Sequence, residues 1–416
     1  MKKILIVFIA NILCFNAWTQ QNNTIDDEMS NEETDFEYSN TIDSLLSALY
    51  LQNTDTIDYF DEDSYMPAAE LPDSVYINRL SQIASVIHLP YNDIVRRCII
   101  GYTQKNKDLT ERILSLSDYY YPIFEDILYS YGLPLELKTM SVIESALNPV
   151  AVSPVKATGA WQFMFRTAKS YGLNITSFVD ERCDPVAACH AAAKYLSTMY
   201  NIFGDWTLVI ASYNCGEGNV KKAIRRAGGK TDFWSIYPYL PRETRGYVPL
   251  FIGATYAMTY YKEHGLKKTP PTMPVAVDTF MITKMLHFEQ ISKIIGIPVE
   301  VIRQLNPQYR RDIIPGKEKP YTLILPHNYT NPFIDNENQI YAYNDSVYFN
   351  PNVLAAPANY KTPSGGKQII HVVRKGETVG GIAQKYRVRA NDLKYWNNIG
   401  KNNLIRAGQK LVIYRG

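Results

Sequence analysis

Glu144 has the residue type and the spacing of a general acid. Between Pro134 and Leu147 the pattern predicts a helix: Pro134 suits its first turn, and Asn148-Pro149 ends it. Leu137, Met140 and Leu147 recur on one face, and Glu144 falls on that face, four residues after Met140 and three before Leu147. A carboxylate aimed at an apolar surface is desolvated, so its pKa rises unless a partner compensates. A carboxylic acid that keeps its proton near neutral pH is what protonation of a glycosidic oxygen requires. A buried glutamate held by an arginine or a backbone donor is the alternative, and on the helix pattern alone it is the more economical one.

The surroundings of Glu144 shift that balance. Glu144-Ser145-Ala146-Leu147-Asn148-Pro149 is followed by Gly159-Ala160-Trp161-Gln162-Phe163-Met164, then by Ala211-Ser212-Tyr213-Asn214-Cys215-Gly216-Glu217-Gly218, and then by Pro241-Arg242-Glu243-Thr244-Arg245-Gly246-Tyr247-Val248-Pro249. Asp180-Glu181-Arg182-Cys183-Asp184-Pro185 and the helix start at Gly204-Asp205-Trp206 accompany them. This ordered set, over residues 116–265, resembles the lytic murein transglycosylases of the membrane-bound D type, with their goose-lysozyme-like SLT domain. The resemblance implies cleavage of the MurNAc–GlcNAc β-1,4 bond with formation of 1,6-anhydro-MurNAc ends, by Glu144 alone and without a metal or cofactor. By family position Tyr247 orients Glu144, Ser145, Gln162, Tyr213 and Asn214 line the groove, and Met164 forms an apolar floor. Trp161 and Phe163 read as core. Asp180, Asp184, Glu217 and Glu243 read as structural or positioning groups. Phe165 departs from the proline common in this family after Met164.

The elements that must hold this set are mostly helical between Tyr76 and Leu266, with Pro185–Phe203 and a segment from Asp205 to Cys215-Gly216 the clearest. Beyond a Pro270/Pro271/Pro274 linker lies an internal repeat: Ile291 and Ile302 are eleven apart, as are Ile382 and Leu393, and matching Asn and Gly signals precede two strand-like runs. The copies resemble LysM modules, βααβ units that bind N-acetylglucosamine-containing glycans. The second matches through His371-Val372-Val373, Gly376-Glu377-Thr378 and Ile382-Ala383-Gln384-Lys385-Tyr386, and departs at Gly380-Gly381. The first lacks the Gly-Glu-Thr opening. The expected fold is therefore a mainly α, lysozyme-like catalytic domain followed by small α+β modules.

Met1-Lys2-Lys3 and the apolar run Ile4–Phe15 read as an export signal over 1–19, with a cut before Gln20. Leu13 is bulky where a lipoprotein needs a small residue, which disfavours lipidation at Cys14. The division expected downstream is an acidic disordered leader at 20–75, a helical lead-in at 76–115, the catalytic domain at 116–267, a degenerate LysM-like module at 275–327, a linker at 328–366 and a LysM module at 367–415. Export to the periplasm makes the compartment disulfide-permissive, but Cys98, Cys183, Cys189 and Cys215 show no pairing pattern and read as buried thiols, with a Cys183–Cys189 bridge as the alternative. The net charge of +2, from 43 Lys and Arg against 41 Asp and Glu, excludes a dedicated nucleic-acid binder. The partners implied are peptidoglycan glycan strands, with the outer membrane or other cell-wall enzymes as further associations. Two other functions fit the same motifs, a hydrolytic lysozyme-type muramidase and a non-catalytic peptidoglycan-binding protein.

Overall fold

The computed structural model describes residues 71–349 and most of 367–415. The export signal, Cys14 and the acidic leader up to residue 70 lie outside the described residues. The chain divides into two units, one running to Val277 and including Gln304–Gln308, the other comprising Asp278–Arg303 and Tyr309 onward.

The first unit is helical. Its first helices are α1 (Asp73–Gln82), α2 (Asp93–Ile100) and α3 (Lys107–Ser130), with a π-turn at Gly101–Lys105 between the last two. Asn92 caps α2, its side chain accepting from the Val95 amide at 2.9 Å. The division placed at residue 115 falls inside α3, so one uninterrupted helix runs through the expected boundary between lead-in and catalytic domain. A short α4 (Met140–Ser145) and α5 (Phe165–Ser170) come next, then α6 (Pro185–Phe203), α7 (Trp206–Cys215), α8 (Glu217–Arg226), α9 (Phe233–Ile236) and α10 (Arg242–Thr259). Asp184 and Asp205 cap α6 and α7, as their positions before the helical patterns anticipate.

Helix α10 is buried on all sides from Gly246 to Ala257, which makes it a core helix rather than an amphipathic surface one. Helix α2 crosses it closely: a Cβ on Gly253 would stand 2.7 Å from that of Cys98. The N-terminal helix α1 is tied to the same element, with Arg79 Nη1 donating to the Tyr256 hydroxyl at 2.9 Å and Tyr260 donating to the Arg79 carbonyl at 2.9 Å. Among the described residues Cys98, Cys183, Cys189 and Cys215 form no disulfide.

In the second unit β1 (Val277–Ile282) pairs with β4 (Tyr321–Pro326), and β2 (Met285–His287) runs antiparallel to β3 (Ile313–Pro315). Helices α11 (Phe288–Ile295) and α12 (Val299–Leu305) lie between them in sequence. His287 and Gln290 form a capping box on α11. The segment read as a linker is structured over much of its described length, as α13 (Thr330–Asp335), α14 (Glu337–Ala342) and α15 (Asp345–Tyr348). Phe333 and Ile340 are buried there, and the buried Gln290 amide donates to the Tyr341 and Tyr343 carbonyls at 3.2 and 2.9 Å. An Asn-, Pro- and Tyr-rich composition conceals these helices because their apolar anchors are few and widely spaced.

The second copy repeats the plan with β5 (Lys367–Val372), α16 (Val379–Tyr386) and β6 (Lys410–Arg415), the two strands antiparallel. Val373, Val379, Ile382, Ala383, Leu393, Leu411 and Ile413 form its core. Helix α16 forms despite Gly380-Gly381, since Thr378 caps it through the Gly381 amide at 3.1 Å. His371 is buried between the Tyr386 hydroxyl at 3.0 Å and Glu377 at 2.8 Å, so the Gly-Glu-Thr glutamate braces the module from within.

Candidate active site

The helix carrying Glu144 is shorter than its spacing predicts. Leu135–Thr139 forms a 3-10 turn, α4 covers only Met140–Ser145, and Ala146 and Leu147 adopt left-handed conformations at φ 52° and 63°. Two successive non-glycine residues at positive φ are costly and persist where surrounding structure holds them. Here the Ala146 amide donates to Val142 O at 2.8 Å and the Leu147 amide to Ser141 O at 3.2 Å. The single apolar face is also a correction: Met140, Ser141, Val142, Ile143 and Ser145 are all buried, and Glu144 alone of this helix keeps a partly exposed edge. A buried helix therefore presents one carboxylate at its last turn.

Burial pushes the Glu144 pKa from 4.5 up to about 7, and a hydrogen bond from the Tyr247 hydroxyl to Oε1 moderates the rise. These two influences define its titration, with no second carboxylate contributing. Tyr247 is 5% exposed and comes from α10, so acid and partner both sit on buried elements. Tyr213, on α7, has its hydroxyl pKa driven well up, by burial first and by the charge of Glu144 second. Its O–H donates to the Trp161 carbonyl at 2.8 Å.

The remaining residues assigned from sequence occupy distinct positions. Ser145 is fully buried and is not groove-lining; its hydroxyl lies 3.1 Å from Ser141 O and 2.9 Å from Ala160 O, tying the end of α4 to the 159–164 loop. Gln162, half-buried at φ 46°, donates from Nε2 to Gly159 O at 2.8 Å and Ala151 O at 3.2 Å. Met164 is 45% exposed, as a surface contact for a ligand must be, and Phe165 beside it is 48% exposed. Asn214 is exposed and accepts from the Thr244 hydroxyl at 2.8 Å. Trp161 and Phe163 are buried in the core, with Trp161 edge-on to Phe124 at 5.3 Å.

The other acidic residues have work elsewhere. Asp180 and Arg182, both buried, form a two-armed pair at 2.9 Å per arm, while Arg182 Nη1 reaches the Lys156 and Phe163 carbonyls. That pair clamps the loop carrying Gln162 and Met164. Gly159 completes the clamp: at φ +93° it passes so near that a Cβ would stand 1.7 Å from Arg182 O. Asp184 caps α6, and Glu217 pairs with Lys221. Sequence reasoning missed Thr244 and Arg182 as supports, although both lie inside the motifs, because Thr244 holds a residue 30 positions away and Arg182 holds carbonyls 19 and 26 positions away.

A carboxyl with a raised pKa on a buried helix, bonded to a buried tyrosine and set beside a braced loop, has the chemistry a general acid for glycan cleavage requires, on a mainly helical scaffold. Residues 124–235 match the Transglycosylase SLT domain, 276–342 the LysM-like domain of the lytic transglycosylase MltD, and 371–413 the LysM domain. The chain is 29% identical over 332 residues to membrane-bound lytic murein transglycosylase D of Escherichia coli K12, covering 79% of this chain and 70% of that protein. It is 34% identical over 111 residues to the soluble lytic murein transglycosylase of the same organism, covering 25% of this chain and 17% of that protein. The crystal structure of the 70 kDa soluble lytic transglycosylase from E. coli superposes with a TM-score of 0.32 at 26% identity, covering 41% of this chain and 28% of that one. The chain therefore carries a transglycosylase SLT domain followed by an MltD LysM-like and a LysM domain, and over most of its length it is similar to a lytic murein transglycosylase.

Proposed function

We propose that this protein cleaves the MurNAc–GlcNAc bond of peptidoglycan by non-hydrolytic transglycosylation, with Glu144 as both acid and base. The neutral form of Glu144 donates its proton to the glycosidic oxygen, and GlcNAc departs with a free C4 hydroxyl. The N-acetyl group of MurNAc stabilises the cationic C1. The Glu144 carboxylate then takes the proton of the C6 hydroxyl as O6 bonds to C1, closing the 1,6-anhydro ring and restoring the starting acid. Tyr247 holds the carboxyl and Tyr213 stands beside it, while Gln162, Met164 and Asn214 supply the groove around the scissile sugars and Ser145 fixes the helix end. The observation that carries this reading is a buried carboxyl bonded to Tyr247, its pKa pushed up to about 7 by burial, with no second carboxylate among the influences on it.

The catalytic body of this reading is 116–267, with a LysM-like module at 275–327 and a LysM module at 367–415 that concentrates the enzyme on glycan. Its place is the periplasm, after export and removal of residues 1–19, in association with the outer membrane or with other cell-wall enzymes. Among the described residues no helix is long and apolar enough to cross a membrane.

Mass spectrometry of digested murein tests the reaction. Anhydro products are expected from the unmutated chain, and products uniformly heavier by one water identify a muramidase. Glu144→Gln is expected to abolish cleavage while binding sacculi and melting no lower than the parent at pH 8, since it removes a desolvated charge. Full activity in Glu144→Gln overturns the site assignment, and an inactive parent favours a binding protein.

A further inference from the structure

A cleft of about 260 Å³ opens in the first unit, and no step of the proposed reaction uses it. Asn219, Lys222 and Arg226 of α8 line one side, and Tyr239, Leu240 and Arg245 the other. Three cations and no carboxylate line it. Lys222 and Arg226 are four residues apart, so they share a helix face on which like charges repel. Both are exposed, and among the described residues no carboxylate neutralises either. Their neighbour Lys221 differs, being paired with Glu217. Arg245 is held in place, its Nε donating to Leu240 O at 3.0 Å and its Nη2 to Pro238 O at 2.6 Å.

Interaction with the α8 dipole accounts for Arg226 in the last turn, but not for Lys222 in mid-helix or for Arg245 on another element. Like charges gathered around a concavity focus a positive potential within it. The cleft also adjoins the catalytic elements along the chain. Arg245 is two residues before Tyr247, about 3 Å along the axis of α10. Helix α8 starts three residues after Asn214.

We propose that this cleft is a carboxylate subsite for the peptide stem of peptidoglycan. The inference rests on the function proposed above and deepens it. The sugars of the strand are largely neutral, whereas the stem is a short peptide with free carboxylates, carried by the same muramic acid whose glycosidic oxygen Glu144 protonates in the proposed reaction. Lys222 and Arg226 supply the charge, Arg245 the fixed donor, and Tyr239, 44% exposed, an apolar shelf for the stem's alkyl groups.

The test uses the full-length Glu144→Gln chain, so that binding is read without cleavage, and short glycan strands of equal length with stems intact or removed by an amidase. Stem-bearing strands are expected to bind about 10-fold more tightly. Adding Lys222→Ala with Arg226→Ala is expected to erase that advantage and leave peptide-free strands unaffected, whereas Lys222→Arg with Arg226→Lys retains it. The proposal is overturned if the alanine pair leaves the preference intact, or if it weakens both kinds of strand equally. Cleavage of the same strands by the unmutated chain reads the proposed function separately, so the two can fail independently.

Discussion

Burial and the Tyr247 hydroxyl pull the titration of Glu144 in opposite directions, and in the proposed reaction the balance sets when the enzyme works. Desolvation disfavours the carboxylate and raises the pKa to about 7, while the donated hydrogen bond stabilises the carboxylate and lowers it. One group acting as acid and then as base starts every cycle protonated, so kcat/KM should be level at lower pH and fall about tenfold per pH unit above about 7. Tyr247→Phe removes the group that favours the anion. Its falling limb is therefore expected at higher pH than in the parent, even as kcat drops by roughly 10-fold through lost orientation. A pH–rate profile of both proteins checks the sign. A limb that stays in place, or moves down, contradicts the role given to Tyr247. The burial of Glu144 was legible in the sequence because a carboxylate on the apolar face of a predicted helix is desolvated, whereas its candidacy as the acid came from the motifs around it. That Ser145 lies in the core was not, because a serine in a motif reads alike whether its hydroxyl faces a groove or the carbonyl of Ala160.

The elements around the site divide between those that announce themselves locally and those fixed only by tertiary contacts. Helix α6 has the bounds its sequence indicates, since Asp184-Pro185 caps its start and Gly204, at φ 65°, ends it. Helix α4 stops short because Ala146 and Leu147 turn left-handed, and nothing in residue type foretells that at an alanine and a leucine. The 156–163 loop depends in the same way on Arg182, a residue distant in sequence. Gly159 and Gly172 separate the two causes experimentally. Both sit near φ +90°, so alanine brings similar backbone strain to each, on the order of 1–2 kcal/mol. At Gly172 the new Cβ meets nothing within 4 Å, whereas at Gly159 it would overlap the Arg182 carbonyl. Thermal denaturation should show Gly172→Ala folded and mildly destabilised, and Gly159→Ala destabilised by several kcal/mol more, with activity lost on soluble strands. Equal destabilisation would mean that backbone strain alone holds this loop.

At the scale of the whole molecule, a net charge of +2 conceals parts of opposite sign. Residues 20–78 contain fifteen acids and no Lys or Arg, whereas 368–416 contain ten Lys and Arg against two acids. The C-terminal module has its own core, so its removal should leave the catalytic unit intact. Peptidoglycan is polymeric and anionic through its stems. A basic glycan-binding module tethered to the catalytic unit therefore acts by raising local concentration, an effect that grows with the size of the substrate. Deleting 367–416 is expected to weaken retention on intact sacculi by about 10-fold or more at low salt. It should leave kcat on short soluble strands, which engage only the groove, unchanged. Co-sedimentation with sacculi, paired with turnover of soluble strands, measures both. If kcat on soluble strands falls in step with retention, the module is part of the catalytic machinery. If retention does not change, the glycan contact that matters lies in the groove or in the first module.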